Sequence, residues 1–201
     1  MRRGKLKNKT VDKYLLPIRN QIVDLIQPNS YIYDFGCGNG DLIFMLSEKI
    51  KKGTGFDNSK SLISYANKRK SLEQIRNIDF KIIDVCKDQL PNAKVNYSIA
   101  SLFLHVLSKN DAYFLLKQMI NISEITILCG FTKPQNWRQR FLLYMDQRFT
   151  GHYSKFKAYK ENNYMEGILR SFNNIRYEWY PTFDPVIKIY KIVKFNKRQL
   201  I

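Results

Sequence analysis

The chain has 201 residues, 44% hydrophobic and 14% aromatic, enough for the core of one compact domain and short for two. Its 34 Lys and Arg against 17 Asp and Glu give a formal charge of +17, which favours phosphates, acidic metabolites or anionic headgroups as partners, although a solvated lysine-rich surface has the same composition. No run of about 18 apolar residues occurs, and the opening Met1-Arg2-Arg3-Gly4-Lys5-Leu6-Lys7-Asn8-Lys9 carries no hydrophobic signal segment, so neither a transmembrane segment nor a secretory leader is expected and a cytoplasmic location is.

In chain order, the apolar spacing of Tyr14-Leu15-Leu16, Ile22, Leu25 and Ile26 predicts a helix, ended by Pro28-Asn29-Ser30 before the strand-like Tyr31-Ile32-Tyr33. A helix from Asp41 to Ile50, a short strand at Gly53-Thr54-Gly55-Phe56 and a Ser59-capped helix to Lys70 follow. Further strands are expected at Phe80-Lys81-Ile82-Ile83, Tyr97-Ser98-Ile99-Ala100 and Ile125-Thr126-Ile127-Leu128-Cys129, the last preceded by a helix from Lys109 to Ile120. Past Gly130 the rhythm changes. Pro134 to Phe149 reads as an aromatic amphipathic helix, Tyr153 to Arg170 as a tyrosine-rich segment with another helix, and Ile175–Tyr180 with Val186–Val193 as an antiparallel pair joined by Pro181-Thr182-Phe183-Asp184-Pro185. Alternating strands and helices imply an α/β fold with a mostly parallel sheet. Cys37, Cys86 and Cys129 lack metal-ligand spacing and each falls near a strand end, so buried free thiols and no metal site are expected.

A glycine cluster between a strand and a helix lets backbone approach a ligand closely, and Gly36, Gly38 and Gly40 meet that description. Dinucleotide-binding loops use G-x-G-x-x-G; here Asp34-Phe35-Gly36-Cys37-Gly38-Asn39-Gly40 is G-x-G-x-G behind an acidic residue, which argues against a nicotinamide cofactor. This loop, with Gly55-Phe56-Asp57-Asn58-Ser59 one strand later, resembles the first two motifs of class I S-adenosylmethionine-dependent methyltransferases, and the likeness runs from about Tyr31 to Gly130. The resemblance implies a Rossmann-like fold: a mostly parallel seven-stranded sheet with an antiparallel last strand and helices on both faces. It implies one domain, with residues 1–30 as a helical cap, 31–130 as the cofactor-binding core, 131–172 as a helical insert at the acceptor site and 173–201 as the terminal strand pair.

The cofactor implied is S-adenosyl-L-methionine. By resemblance Asp57 accepts the ribose hydroxyls and Asp84 the adenine amino group, with Asn58 and Val85 flanking the ring. Asp34 faces the methionine ammonium, and Gly36, Cys37, Gly38, Gly40 and Ser101 complete the site. Asn58 stands where the family often has an apolar residue beside the ribose carboxylate.

On the acceptor side, His105 in Phe103-Leu104-His105-Val106-Leu107 is the candidate general base, or a histidine packed against the core. His152, with Arg138, Arg140, Arg148, Lys155 and Lys157 around it, could lid the site over an anionic acceptor, or form a solvated basic face. Trp137, Arg138, Tyr144 and Tyr153 are candidate substrate contacts, for an anionic or aromatic small molecule, although aromatics at helical spacing are more often core. The expected activity is methyl transfer to oxygen, nitrogen or carbon of a small molecule, with no metal required. A nucleic-acid methyltransferase is the alternative; the charge favours it, and the lack of an Asn-Pro-Pro-Tyr motif after the fourth strand opposes it. A cofactor-binding partner protein without chemistry of its own is a further alternative.

Overall fold

A computed structural model describes residues 2–149 and 153–195, with side chains from Lys13 onward. The first half runs α1 (Arg2–Leu25), β1 (Tyr31–Phe35), α2 (Asp41–Leu46), β2 (Lys52–Asp57), α3 (Lys60–Leu72) and β3 (Ile78–Ile82). Then come β4 (Val95–Ser101), a 3-10 turn (Leu104–Val106), α4 (Lys109–Ile122) and β5 (Ser123–Phe131). The last part holds α5 (Trp137–Phe149), α6 (Tyr153–Glu161), α7 (Tyr164–Leu169), β6 (Ile175–Pro181) and β7 (Ile187–Lys194).

The strands form one seven-stranded sheet in the order β3-β2-β1-β4-β5-β7-β6. Neighbours from β3 to β5 are parallel, and β7 is inserted antiparallel between β5 and β6. Chain order reverses between β1 and β4, and in an open α/β sheet the crevice at such a switch point, outside the strands' carboxyl ends, is where ligands bind. The sheet is covered on both faces. In β4 the side chains of Tyr97, Ser98, Ile99 and Ala100 are all buried, although successive residues point to opposite faces. The Gln27 amide just past α1 donates to the Tyr97 hydroxyl at 3.3 Å, while the Ser98 hydroxyl bonds Ser123 and Thr126 at 2.8 and 3.1 Å under α4.

Three boundaries differ from the sequence expectation for physical reasons. Helix α1 begins at Arg2 and carries Pro17 in its interior; the leading Arg, Lys and Leu residues have good helix propensity without an apolar stripe to announce it. Helix α2 stops at Leu46, where the Ser47 hydroxyl turns back onto the Phe44 carbonyl at 2.8 Å and competes with the helical ladder, while Ile50 drops into the core. β3 ends at Ile82, so Cys86 lies in an exposed turn and only Cys129 of the three free thiols is fully buried, with Cys37 half-buried. The expectation of three buried thiols is corrected accordingly.

Candidate functional site

Gly36, Gly38 and Gly40 all have positive φ, at 74°, 57° and 83°, a region costly for residues with a Cβ. The Gly36 and Cys37 amides donate to the Phe56 carbonyl at 2.8 and 3.0 Å, tying the loop to the end of β2. The three glycines face different surroundings. A Cβ at Gly36 would lie 2.2 Å from the Phe103 ring and one at Gly40 2.4 Å from Phe80, whereas one at Gly38 would meet nothing within 4 Å. Gly36 and Gly40 are therefore needed for packing, and Gly38 borders open space. Cys37 fills the gap over Gly55, where a Cβ would lie 2.7 Å from its sulfur; burial raises the thiol pKa well above its ordinary value.

Asp57, the last residue of β2, accepts the Gly38 amide on Oδ2 and the Ser59 amide on Oδ1, both at 2.9 Å. Two amides fix its orientation, and each carboxylate oxygen keeps a lone pair for a further donor. Asp34 is 2% exposed, and its buried Oδ1 has no hydrogen-bonding partner among the described residues. Burial, and next the charge of Asp57, push its carboxyl up to about 8, against a lowering by Arg19. A buried acceptor left unpaired is costly, and a cationic donor arriving beside it would remove that cost.

Asp84 lies in the turn after β3. Its Oδ1 accepts the Cys86 amide at 3.0 Å and its Oδ2 lies 3.5 Å from Lys87 Nζ. The Cys86 amide holds its carboxyl below the usual range. Of the two residues expected to flank the adenine, Asn58 is exposed and Val85 is packed into the core. Ser101 closes β4 and hydrogen-bonds Cys129, whose buried thiol is pushed up to about 12.

Directly after Ser101 the chain makes a turn that the sequence does not announce. Leu102 adopts φ 50°, a left-handed conformation that costs a branched residue about 1–2 kcal/mol. Its amide is held by the Cys129 carbonyl at 2.8 Å. Just past this turn the Phe103 ring covers Gly36, and His105 lines a cavity of about 750 Å³. His105 is 7% exposed, with its ring edge-on to Phe131 at 4.9 Å.

The cavity walls come from α1 (Tyr14, Leu15), the β4 turn (Leu102, His105, Val106), α5 and the segment Phe183–Ile187. Its lining is mostly apolar, and its charged members are Asp146 and Asp184, with no Lys or Arg among the lining residues. The Tyr14 hydroxyl donates to Asp184 Oδ2, and the Tyr14 and Phe183 rings meet edge-on at 5.0 Å. Burial, then Asp184, raises the Tyr14 pKa and keeps its proton on.

The structure thus gathers Asp34, Asp57 and the glycine loop at the ends of β1 and β2, and puts His105 in a separate wall. Trp137, Arg138, Tyr144 and Tyr153 are not in the cavity lining; α5 contributes Gln139, Leu142, Leu143, Asp146 and Gln147 instead. Arg138, Arg140, Arg148, Lys155 and Lys157 are exposed, and His152 lies outside the described residues. Sequence reasoning missed Tyr14, Leu102 and Asp184. Only the Pro-flanked Thr182-Phe183-Asp184 segment carried a signal, an aromatic and an acid in what read as a bare hairpin connection.

The glycine loop is tethered to α1 as well. Asp41, first in α2, pairs with Arg19 of α1 at 3.1 Å and with Arg69 of α3 at 2.9 Å, and Arg69 also lies 3.9 Å over the Phe44 ring. Among the described residues no helix is long and apolar enough to cross a membrane.

A family model described as a methyltransferase domain matches residues 32–123. The protein 235L of Invertebrate iridescent virus 6, which carries a methyltransferase name, is 25% identical over 156 residues, or 68% of this chain and 56% of the viral protein. The chain therefore spans little more than half the length of that relative. Among solved structures, magnesium protoporphyrin IX methyltransferase (ChlM) from Synechocystis PCC 6803 with bound SAH has a TM-score of 0.62 at 17% identity, over 95% of this chain and 83% of its own. An rRNA methylase from Streptococcus thermophilus has a TM-score of 0.56 at 13% identity, over 90% and 97%. These structural likenesses show the fold. Residues 32–123, which hold the acidic glycine loop, thus match a methyltransferase domain, and the chain shares the fold of these methyltransferase structures.

Proposed function

We propose that the chain transfers a methyl group from S-adenosylmethionine to oxygen, nitrogen or carbon of a small, largely apolar or aromatic acceptor. The observation that carries this reading is the cradle at the switch point: the open face of Gly38 beside Asp57, with the unpaired, buried Asp34 oxygen beneath. The donor set fits the cofactor. Asp57 would hold the ribose hydroxyls through its remaining lone pairs, Asp34 the methionine ammonium, and Asp84 the adenine amino group. The bound sulfonium would supply an already activated methyl, which leaves the protein mainly to align the acceptor and exclude water.

The cavity supports a small acceptor. About 750 Å³ falls within the usual range for small-molecule sites, and Asp146 and Asp184 in its wall would repel phosphate or carboxylate groups. This moves the reading away from an anionic acceptor and from nucleic acid, and keeps the aromatic one. His105 is the group in that wall suited to take a proton from the acceptor.

Calorimetric titration with S-adenosylmethionine and S-adenosylhomocysteine tests the cradle. Wild type should bind both saturably, and Asp57→Ala should bind about 100-fold more weakly, having lost both the ribose acceptor and the Gly38 amide's partner. Folded wild-type protein that binds neither compound would overturn the reading.

A further inference from the structure

Helix α5 is inside out. Toward the body of the protein it presents Leu143 and Gln147, both buried, and Gln139 and Asp146 at the cavity. Toward solvent it presents Trp137, Phe141, Leu142 and Phe149, exposed by 70%, 55%, 67% and 72%. At about 100° per residue these four, with the exposed Arg138 and Arg148, share roughly 140° of the helix circumference. A surface helix ordinarily turns its apolar stripe to the core, and large exposed apolar patches mark contact sites.

We propose that this outward face of α5 seats the protein on an anionic lipid surface. A face that mixes aliphatic and aromatic side chains with interleaved arginines is the composition of a helix lying in the headgroup region, where rings and Leu enter the acyl boundary and guanidinium groups meet phosphates. The charge of the whole chain is complementary to such a surface: the formal +17 draws the protein toward an anionic bilayer and opposes pairing of two copies through the same face. Leu142 belongs both to the outward face and to the cavity wall, so the seat adjoins the cavity. Helix α1 reaches the same cavity through Tyr14. Nucleic acid fits less well, because Leu142, 67% exposed, offers a base no ring to stack on and is sheltered from water by acyl chains instead. Seated this way, the cavity would open toward the layer in which apolar acceptors dissolve.

Flotation with phosphatidylcholine vesicles, and with vesicles of equal parts phosphatidylcholine and phosphatidylglycerol, tests the seat. Wild type should float with the anionic vesicles alone, less so at high salt. Phe141→Ser/Phe149→Ser and, separately, Arg138→Glu/Arg148→Glu should each reduce the bound fraction about tenfold or more, while S-adenosylhomocysteine binding by both variants, read by calorimetry, reports that the fold is intact. Failure of wild type to float, or undiminished flotation of both variants, overturns the proposal. So does a wild-type dimer in sedimentation that Phe141→Ser/Phe149→Ser dissolves, or binding of single-stranded RNA oligonucleotide that the same variant loses while vesicles are ignored.

Discussion

In the loop between β1 and α2 the constraints are local: three glycines in the left-handed region, two amides on the Phe56 carbonyl, and a carboxylate one strand away that accepts the Gly38 amide. The cavity is assembled from pieces far apart in the chain, with Tyr14 bonded to Asp184 across 170 positions and Leu142 lining it from a third element. A site built from contiguous backbone must spell its conformation in residue types, glycine above all, whereas a cavity enclosed by side chains from separate elements needs only volume and polarity at each. The first tolerates almost no substitution; the second should tolerate many.

Gly36→Ala breaks the local region hardest. Its methyl would sit 2.2 Å from the Phe103 ring at φ 74°, so a loss of about 3 kcal/mol or more is expected in a urea melt. Gly38→Ala separates packing from binding, because its methyl enters open space; stability should fall by only about 1–2 kcal/mol, with S-adenosylhomocysteine affinity lost in calorimetry. If the two variants behave alike, the difference drawn between these glycines is wrong.

The tether between the two regions comes next. Asp41→Ala removes a carboxylate shared by Arg19 and Arg69, whose side chains are 16% and 31% exposed. Arg69 keeps Glu73 at 2.7 Å, so losing the shared carboxylate should cost about 1–2 kcal/mol. Proteolysis should then cut α1 faster while the sheet persists.

Asp34 gives a pH dependence of definite sign. Its carboxyl stands near 8 in the folded protein against 3.8 ordinarily. Between those values the folded chain keeps a proton that the unfolded chain releases, so this group's contribution to stability falls as pH rises and levels off above about 8. Thermal midpoints should follow that slope in the ligand-free protein, and Asp34→Asn should flatten it. A cofactor ammonium favours the ionised form, so binding near neutral pH should expel a proton, visible as a buffer-dependent enthalpy in calorimetry.

The same contrast explains what could be read from the amino-acid sequence. The strands, the parallel core and the antiparallel terminal pair follow from apolar runs and their punctuation, and the glycine spacing with Asp57 one strand later singled out the loop at the switch point because backbone geometry restricts residue choice there. Leu102 left no trace, since a leucine at φ 50° is chosen by its surroundings and not by its own preference. The aromatics of α5 misled in a different way: helical spacing predicts an amphipathic helix but not which side faces in, and here Gln139 and Gln147 turn toward the protein while Trp137 and Phe141 face out.

The smallest effect belongs to Tyr14. Removing its hydroxyl in Tyr14→Phe leaves the edge-on contact with Phe183 and takes away the donor to Asp184, whose Oδ1 is still held by the Val186 amide at 2.9 Å. Because Asp184 stays anchored, stability should change by about 1 kcal/mol or less, while the cavity wall gains a carboxylate oxygen with one fewer partner. Cofactor affinity should be unchanged, since Tyr14 lies in the cavity wall and not in the glycine cradle. With an acceptor in hand, KM should move a few-fold with little change in kcat, the pattern of a group that shapes binding without taking part in the reaction. A fall in kcat with KM unchanged would instead put Tyr14 at the reacting atoms.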